Sequence, residues 1–289
     1  MATNMQGKTV LITGGNTGIG KATAIALARM GAQVTITSRS PDKGEAALAD
    51  IRQQAGSDRV ACMRLDLASL AGVRRFAEEF LATHPRLDVL INNAGLVLST
   101  RSETEDGFES TLGVNHLGHF LLTNLLLPRL KESAPSRIVV LSSDAHRGAL
   151  GGLDFDDLHA RRSYRGIPVY CRSKLANLLF TVELADRLRG TGVTVNAVHP
   201  GVVASEFGGP DDTRGIYRWL VKMTHWALIS PEKGARTSVH VASSPELEGV
   251  SGKYFARSKP ARSSRAAQDR GAALRLWEVS EQLTGASPI

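Results

Sequence analysis

Short runs of β-branched and aliphatic residues recur along the chain at 9–13 (TVLIT), 33–37 (QVTIT), 59–65 (RVACMRL), 87–92 (LDVLIN), 137–143 (RIVVLSS) and 193–200 (VTVNAVHP). Each run is too short for a helix and is flanked by turn-forming or charged residues, so the pattern predicts six strands. Their near-continuous apolar character marks strands covered on both faces. Between them, apolar positions return at helical spacing. Ala22, Ile25, Ala26 and Met30 form one such stripe, which also carries Arg29; Leu175, Leu178, Leu179, Val182 and Leu188 form another. Strands alternating with helices predict an α/β fold, a doubly wound parallel sheet with helices on both faces. No Gly/Ser linker, repeat or composition shift divides the chain, which reads as one domain over 1–289. Residues 201–231 lose the alternation and gather Gly, Pro, Asp and Trp, an irregular excursion within it.

Composition narrows the function classes. With 289 residues the chain is long enough to bury a core without staples, and its two cysteines, Cys62 and Cys171, make neither a disulfide framework nor a four-cysteine zinc site. The net charge of +7 comes from dispersed arginines, densest between Lys253 and Arg270. Dispersed charge reads as a solvated surface, and no basic helix interleaved with aromatics suggests a nucleic-acid partner. No apolar run reaches the ~18 residues of a membrane span, and no charged-then-apolar leader precedes the first strand-like run. The expectation is a cytoplasmic protein.

Directly after the first run comes TGGNTGIG, with Gly14, Gly18 and Gly20 opening into a helix. Glycines allow a tight turn and close approach of backbone to a pyrophosphate, whose charge the amides and positive end of the following helix stabilise. Tight turns also use glycine for purely structural reasons, but strand before and helix after favour a dinucleotide-binding Rossmann fold. The second run ends in Ser38 and Arg39, with no carboxylate to accept from a ribose 2′-OH. A cation there suits a 2′-phosphate, so the cofactor is expected to be NADP(H), with Ser38 adding a donor.

These landmarks resemble the short-chain dehydrogenase/reductase family, and the resemblance runs over nearly the whole chain. It implies cofactor contacts at Gly14, Asn16, Thr17, Gly18, Ile19, Gly20, Ser38 and Arg39, at Asp66 and Leu67 after the third strand, and at Asn93, Ala94 and Gly95 in the NNAG segment. Pro200, Gly201 and Val203 of HPGVV would lie beside the nicotinamide. Asn115, Ser143, Tyr170 and Lys174 match the family's catalytic set. The phrases NHLGHF, YCRSKLANLLF, HPGVV and LWEVSEQLTG are most similar to the retinol dehydrogenase-like branch, which acts on retinoids and other lipophilic carbonyls and alcohols. Family members commonly pair through the helices carrying Asn115 and Tyr170, so the resemblance implies a homodimer or homotetramer.

The residue types fit that chemistry. Hydride transfer to a carbonyl needs a proton on the oxygen, which Tyr170 can supply once a cation lowers the cost of its phenolate. Lys174, four residues on and therefore on the same helix face, is that cation. Ser143 would hydrogen-bond the substrate oxygen. For Asn115 the resemblance implies a role in holding a water chain from lysine to solvent. His116 and His119 at i, i+3 lack a third ligand, so no metal is assigned. Trp219 and Met223, within an apolar cluster from Phe207 to Leu228, are candidates for the substrate wall, expected to favour a small apolar carbonyl or alcohol. The alternative is a catalytically idle NADP(H)-binding regulator on the same fold.

Overall fold

Strand β1 (Thr9–Ile12) is buried at every position, with Leu11 packing into one apolar cluster and Val10 and Ile12 into another. Successive side chains point to opposite faces of a strand, so one covered on both sides needs apolar residues throughout. The division recurs in β4 (Val89–Asn92) and β5 (Ser136–Leu141): Leu90, Ile138 and Val140 join the first cluster, Val89, Ile91, Val139 and Leu141 the second. These relations belong to a computed structural model that describes residues 4–201 and 229–287. Val203, Trp219 and Met223, and nearly all of the 201–231 excursion, lie outside the described residues.

Strands β2 (Gln33–Ser38), β3 (Val60–Arg64) and β6 (Val193–His199) complete the six runs, all parallel. Two further strands carried no sequence signal: β7 (Tyr254–Ala256), parallel to β6, and β8 (Lys259–Ala261), antiparallel to β7. Three residues show no period. Their hairpin turns through Arg257 and Ser258 at φ 52° and 57°, positions usually filled by Gly or Asn, so the turn was hidden as well. The sheet order is β3-β2-β1-β4-β5-β6-β7-β8.

The main helices are α1 (Gly18–Arg29), α2 (Pro41–Ala55), α3 (Leu70–Thr83), α4 (Gly118–Glu132), α5 (Gly166–Arg187), α6 (Pro231–Ser243) and α7 (Arg270–Thr284). Side chains of α1, α2 and α6 share the cluster of Val10 and Ile12, while those of α3, α4, α5 and α7 share that of Leu11, so helices cover both faces. Helix α1 corrects the expected stripe. Its buried residues are Gly20, Thr23, Ala24, Ile25, Leu27 and Ala28, with Arg29 exposed, because the helix is packed against α2 and α6 as well as the sheet.

Candidate active site

In this strand order β1 lies between β2 and β4, so the chain leaves β1 and β4 toward opposite sides and a crevice opens beyond their C-terminal ends. The glycine loop fills its floor. Gly14 and Gly18 have φ of 62° and 52°. A Cβ on Gly20 would lie 2.4 Å from the Gly14 carbonyl oxygen and 2.5 Å from Asn93 Nδ2, so only glycine lets α1 start this close to the loop. Thr17, the N-cap residue of α1, makes no side-chain cap, whereas Ser40, Ser69 and Asp269 each cap their own helix. The first amides of α1 are thus left without a side-chain acceptor, as an anion site requires. This loop fits a dinucleotide phosphate.

Beside it, a buried network ties β1 to β4 and α4. Asn93 Nδ2 donates to the carbonyls of Thr13 (2.8 Å) and Gly14 (3.2 Å), and the backbone N–H groups of Asn93 and Ala94 donate to Thr13 Oγ1 at 2.9 and 3.0 Å. His119 meets Thr13 Oγ1 through Nε2 at 2.8 Å and the Asn115 carbonyl through Nδ1 at 3.3 Å. A carbonyl only accepts, so Nδ1 carries the proton and Nε2 accepts from threonine. Burial pushes the imidazole down to about 3, so it stays neutral. His119 and Thr13 were not among the residues expected here; the signal was the i, i+4 spacing of His119 from Asn115.

At the end of β2, Arg39 is exposed, as a phosphate contact requires. Ser38 lies deeper. It is 3% exposed and its Oγ donates to the Ser40 carbonyl at 2.8 Å, which ties the turn into α2. Asp66 Oδ1 accepts from the Ala68 N–H at 2.9 Å, and buried Leu67 turns its carbonyl toward Gly118, where a Cβ would come within 2.5 Å.

Asn115 sits in a π-helical turn (Gly113–Leu117) preceding α4, the kind of helix irregularity that concentrates at functional sites. Its side chain makes three hydrogen bonds: Oδ1 accepts from Leu96 N–H (2.8 Å), and Nδ2 donates to the Leu96 carbonyl (2.9 Å) and Ser173 Oγ (3.0 Å). Ser173 in turn donates to the Tyr170 carbonyl at 2.8 Å. Asn115 thereby fastens the segment after β4 to the helix carrying Tyr170 and Lys174.

Lys174 is 2% exposed. Its Nζ donates to the Leu141 carbonyl at 3.2 Å and lies 5.6 Å from the centroid of the half-buried Tyr170 ring. Burial alone pulls the ammonium down to about 8. A Cβ on Gly95 would come within 3.4 Å of that nitrogen and 3.2 Å of Asn115 Oδ1, so glycine keeps the space in front of the lysine open. Ser143 follows β5 with its Oγ accepting from the Ala145 N–H at 3.1 Å, which uses a lone pair and leaves the proton to donate. Ser142 donates to the Lys174 carbonyl at 2.8 Å. Pro200 and Gly201, the latter at φ 93°, continue from β6 on the same edge.

The remaining candidates have structural partners. His146 is buried, with Nδ1 on the Ser143 carbonyl and Nε2 accepting from the Ser264 N–H, and so clamps the segment after Ser143 to the C-terminal region. His116 faces Ser280 at 2.8 Å while His119 faces Thr13, so the two rings diverge. Cys171 is buried, and burial raises its thiol pKa.

The glycine loop lies at a topological switch point, and the segment Asn93–Gly95 connects it to buried Asn115 and Lys174, with Ser143 and Tyr170 half-buried. A family model described as short chain dehydrogenase matches residues 8–154 and 157–214. The chain belongs to the short-chain dehydrogenase family. Retinol dehydrogenase 12 of Mus musculus is 51% identical over 290 residues, 98% of this chain and 89% of that protein. Among solved structures, a putative uncharacterized protein from Mycobacterium paratuberculosis superposes with TM-score 0.80 and 38% identity, covering 99% of this chain and 97% of that one. The Pseudomonas aeruginosa RhlG/NADP active-site complex gives TM-score 0.69 and 25% identity over 88% of this chain and 95% of that one. This dehydrogenase is an oxidoreductase of the retinol dehydrogenase-like branch with a nicotinamide dinucleotide cofactor. No helix among the described residues is long and apolar enough to cross a membrane.

Proposed function

We propose that the dehydrogenase is a cytoplasmic, NADP(H)-dependent enzyme that interconverts an apolar carbonyl and its alcohol, with Tyr170 as the general acid/base. The observation that carries this reading is the fully buried Lys174 ammonium beneath the Tyr170 ring, with a backbone carbonyl as its partner. An unneutralised buried cation costs stability and is retained where a neighbour must become an anion. The dinucleotide, when bound, supplies or accepts the hydride. Tyr170 gives its phenolic proton to the substrate oxygen in reduction and takes it back in oxidation. Lys174 stabilises the phenolate in between, Ser143 orients the oxygen by donating to it, and Asn115 holds the segment after β4 against α5. Phosphate preference rests on exposed Arg39 and the lack of a carboxylate at the end of β2. The apolar substrate class rests on the likeness to retinol dehydrogenases and on the cluster containing Trp219 and Met223.

The test is Tyr170→Phe, assayed by NADPH oxidation across aldehydes, ketones and quinones. Turnover should fall about 10²- to 10⁴-fold, the usual contribution of a general acid, with NADPH affinity nearly unchanged. Full turnover in the variant would refute the assignment. Tight NADPH binding by the unaltered protein with no turnover on any of these substrates would favour the regulatory alternative.

A further inference from the structure

Strands β5 and β6 end side by side, β5 two residues before Ser143 and β6 directly before Pro200. Their backbone ladder closes with the Ser142 N–H on the Val198 carbonyl at 2.9 Å. Proline has no N–H, so Pro200 cannot donate to an extension of that ladder. A side chain takes over at this point. The Asp144 N–H donates to His199 Nδ1 at 3.3 Å. An imidazole nitrogen that accepts carries no proton, so the His199 proton is on Nε2, which faces Asp144 Oδ2 at 3.4 Å. The neutral ring therefore meets both the amide and the carboxylate of one residue. Burial also pulls the imidazole below its ordinary value, which favours that neutral form.

Asp144 is exposed, yet its carboxylate is held by protein groups from separate segments. The Tyr254 hydroxyl of β7 donates to Oδ1 at 3.0 Å, and Arg147 Nε, from the 3₁₀ turn Asp144–Gly148, donates to the same oxygen at 3.3 Å. Burial pushes the Tyr254 phenol up, so it keeps the proton it donates. With Oδ1 fixed from two directions, Oδ2 is turned toward His199. On the other side of this residue, His146 Nδ1 holds the Ser143 carbonyl. Ser143 is thus fastened at its own carbonyl by His146 and through the next residue by His199.

We propose that His199 and Asp144 are positioning residues: their clamp sets the spacing between Ser143, the donor to the substrate oxygen, and the Pro200–Gly201 segment expected beside the nicotinamide, and with it the distance over which the hydride moves. The proposal rests on the reaction proposed above, in which neither side chain touches the reacting atoms. Its leverage comes from geometry, because a misplacement of about 1 Å between reacting groups can cost about 10²-fold in rate.

The experiment compares His199→Phe and His199→Asn with the unaltered protein. Phenylalanine keeps a ring and loses both nitrogens, whereas the asparagine oxygen can stand where Nδ1 stood and accept from the Asp144 N–H. In His199→Phe, kcat for carbonyl reduction should fall about 10- to 100-fold, and the primary isotope effect with dinucleotide deuterated at C4 should rise. The dissociation constant of the reduced dinucleotide should stay within about twofold, because the phosphate loop is untouched. His199→Asn should recover most of kcat. A histidine that only supports the fold would lower the melting temperature and leave kcat and the isotope effect of the folded protein unchanged. That result would overturn the proposal, as would an asparagine variant no better than phenylalanine. If His199→Phe does not fold, Asp144→Ala at the exposed partner supplies the comparison, with the same expected direction and the same refuting result. Fluorescence of the bound reduced nicotinamide separates the clamp from the reaction. Emission from an immobilised ring should weaken in His199→Phe, and unchanged emission would overturn the clamp, even where the unaltered protein reduces no carbonyl and the proposed reaction itself fails.

Discussion

Replacing Lys174 with Met should stabilise the fold while disabling the site. The lysine is 2% exposed, and burial holds its ammonium at about 8 against an ordinary 10.5. At about 1.4 kcal/mol per pH unit that gap corresponds to about 3 kcal/mol by which the charged form destabilises the native state. For a lysine depressed in this way, the unfolded chain binds the proton more readily. The cost is therefore fully present below pH 8, fades as pH rises from about 8 to 10.5, and is gone above that. Methionine has a similar reach and no charge. It strands no acceptor either, because the Leu141 carbonyl keeps the Asn177 Nδ2 donor at 3.1 Å. At about 2–4 °C per kcal/mol for a domain of this general size, the variant should melt about 6–12 °C above the parent at neutral pH. The assay is thermal unfolding of both proteins without cofactor, from neutral pH to about 10.5. The gap in melting temperature should narrow steadily along that series. Equal melting temperatures at neutral pH, or a gap indifferent to pH, would show that the ammonium is not the strained group this reading requires.

Arg39→Ala should remove most of a preference for NADPH over NADH, about 10- to 150-fold for charge-assisted hydrogen bonds worth about 1.5–3 kcal/mol, by weakening NADPH alone; dissociation constants at fixed ionic strength decide it. Gly20→Ala should cost about 1–3 kcal/mol of stability and lower affinity for either dinucleotide at least about tenfold, because its methyl meets the Gly14 carbonyl at 2.4 Å; calorimetric titration checks the affinity. Burial holds His116 at about 4 and His119 at about 3, below the ordinary 6.5, so each favours the folded state above 6.5 and loses that contribution as pH falls below it. At pH 5 the two together should cost about 4 kcal/mol, and His119→Gln should flatten the acid limb of a urea-unfolding series measured down to that pH.

Much of this architecture was legible because its signals are local. The six long strands are apolar at successive positions for a reason that needs no partner to be named: Leu11 and Val10 must each meet a helix layer. The glycine loop was equally readable, since a backbone at φ 62° favours glycine and the Cβ clash at Gly20 can be avoided by one residue type only. The Tyr170 and Lys174 pair followed from helical spacing, although spacing says nothing about how deeply the ammonium is buried.

What escaped the linear pattern depends on residues far apart in the chain. Strands β7 and β8 exist because β6 offers an edge, not because three residues have a strand-like period. Ser38 donates to the Ser40 carbonyl, a tie into α2 that the end of a strand does not announce. His119 joins Thr13 to the Asn115 carbonyl across 106 positions of sequence, and Trp277 seats between Phe120 and Phe180 from a helix near the C-terminal end. Residue identity settles which backbone shapes and which acids, bases and cations are available. Solvation and the direction of each hydrogen bond are collective properties of the packed chain, and they alone decide that burial pulls the Lys174 ammonium down and that Ser38 ties the turn into α2.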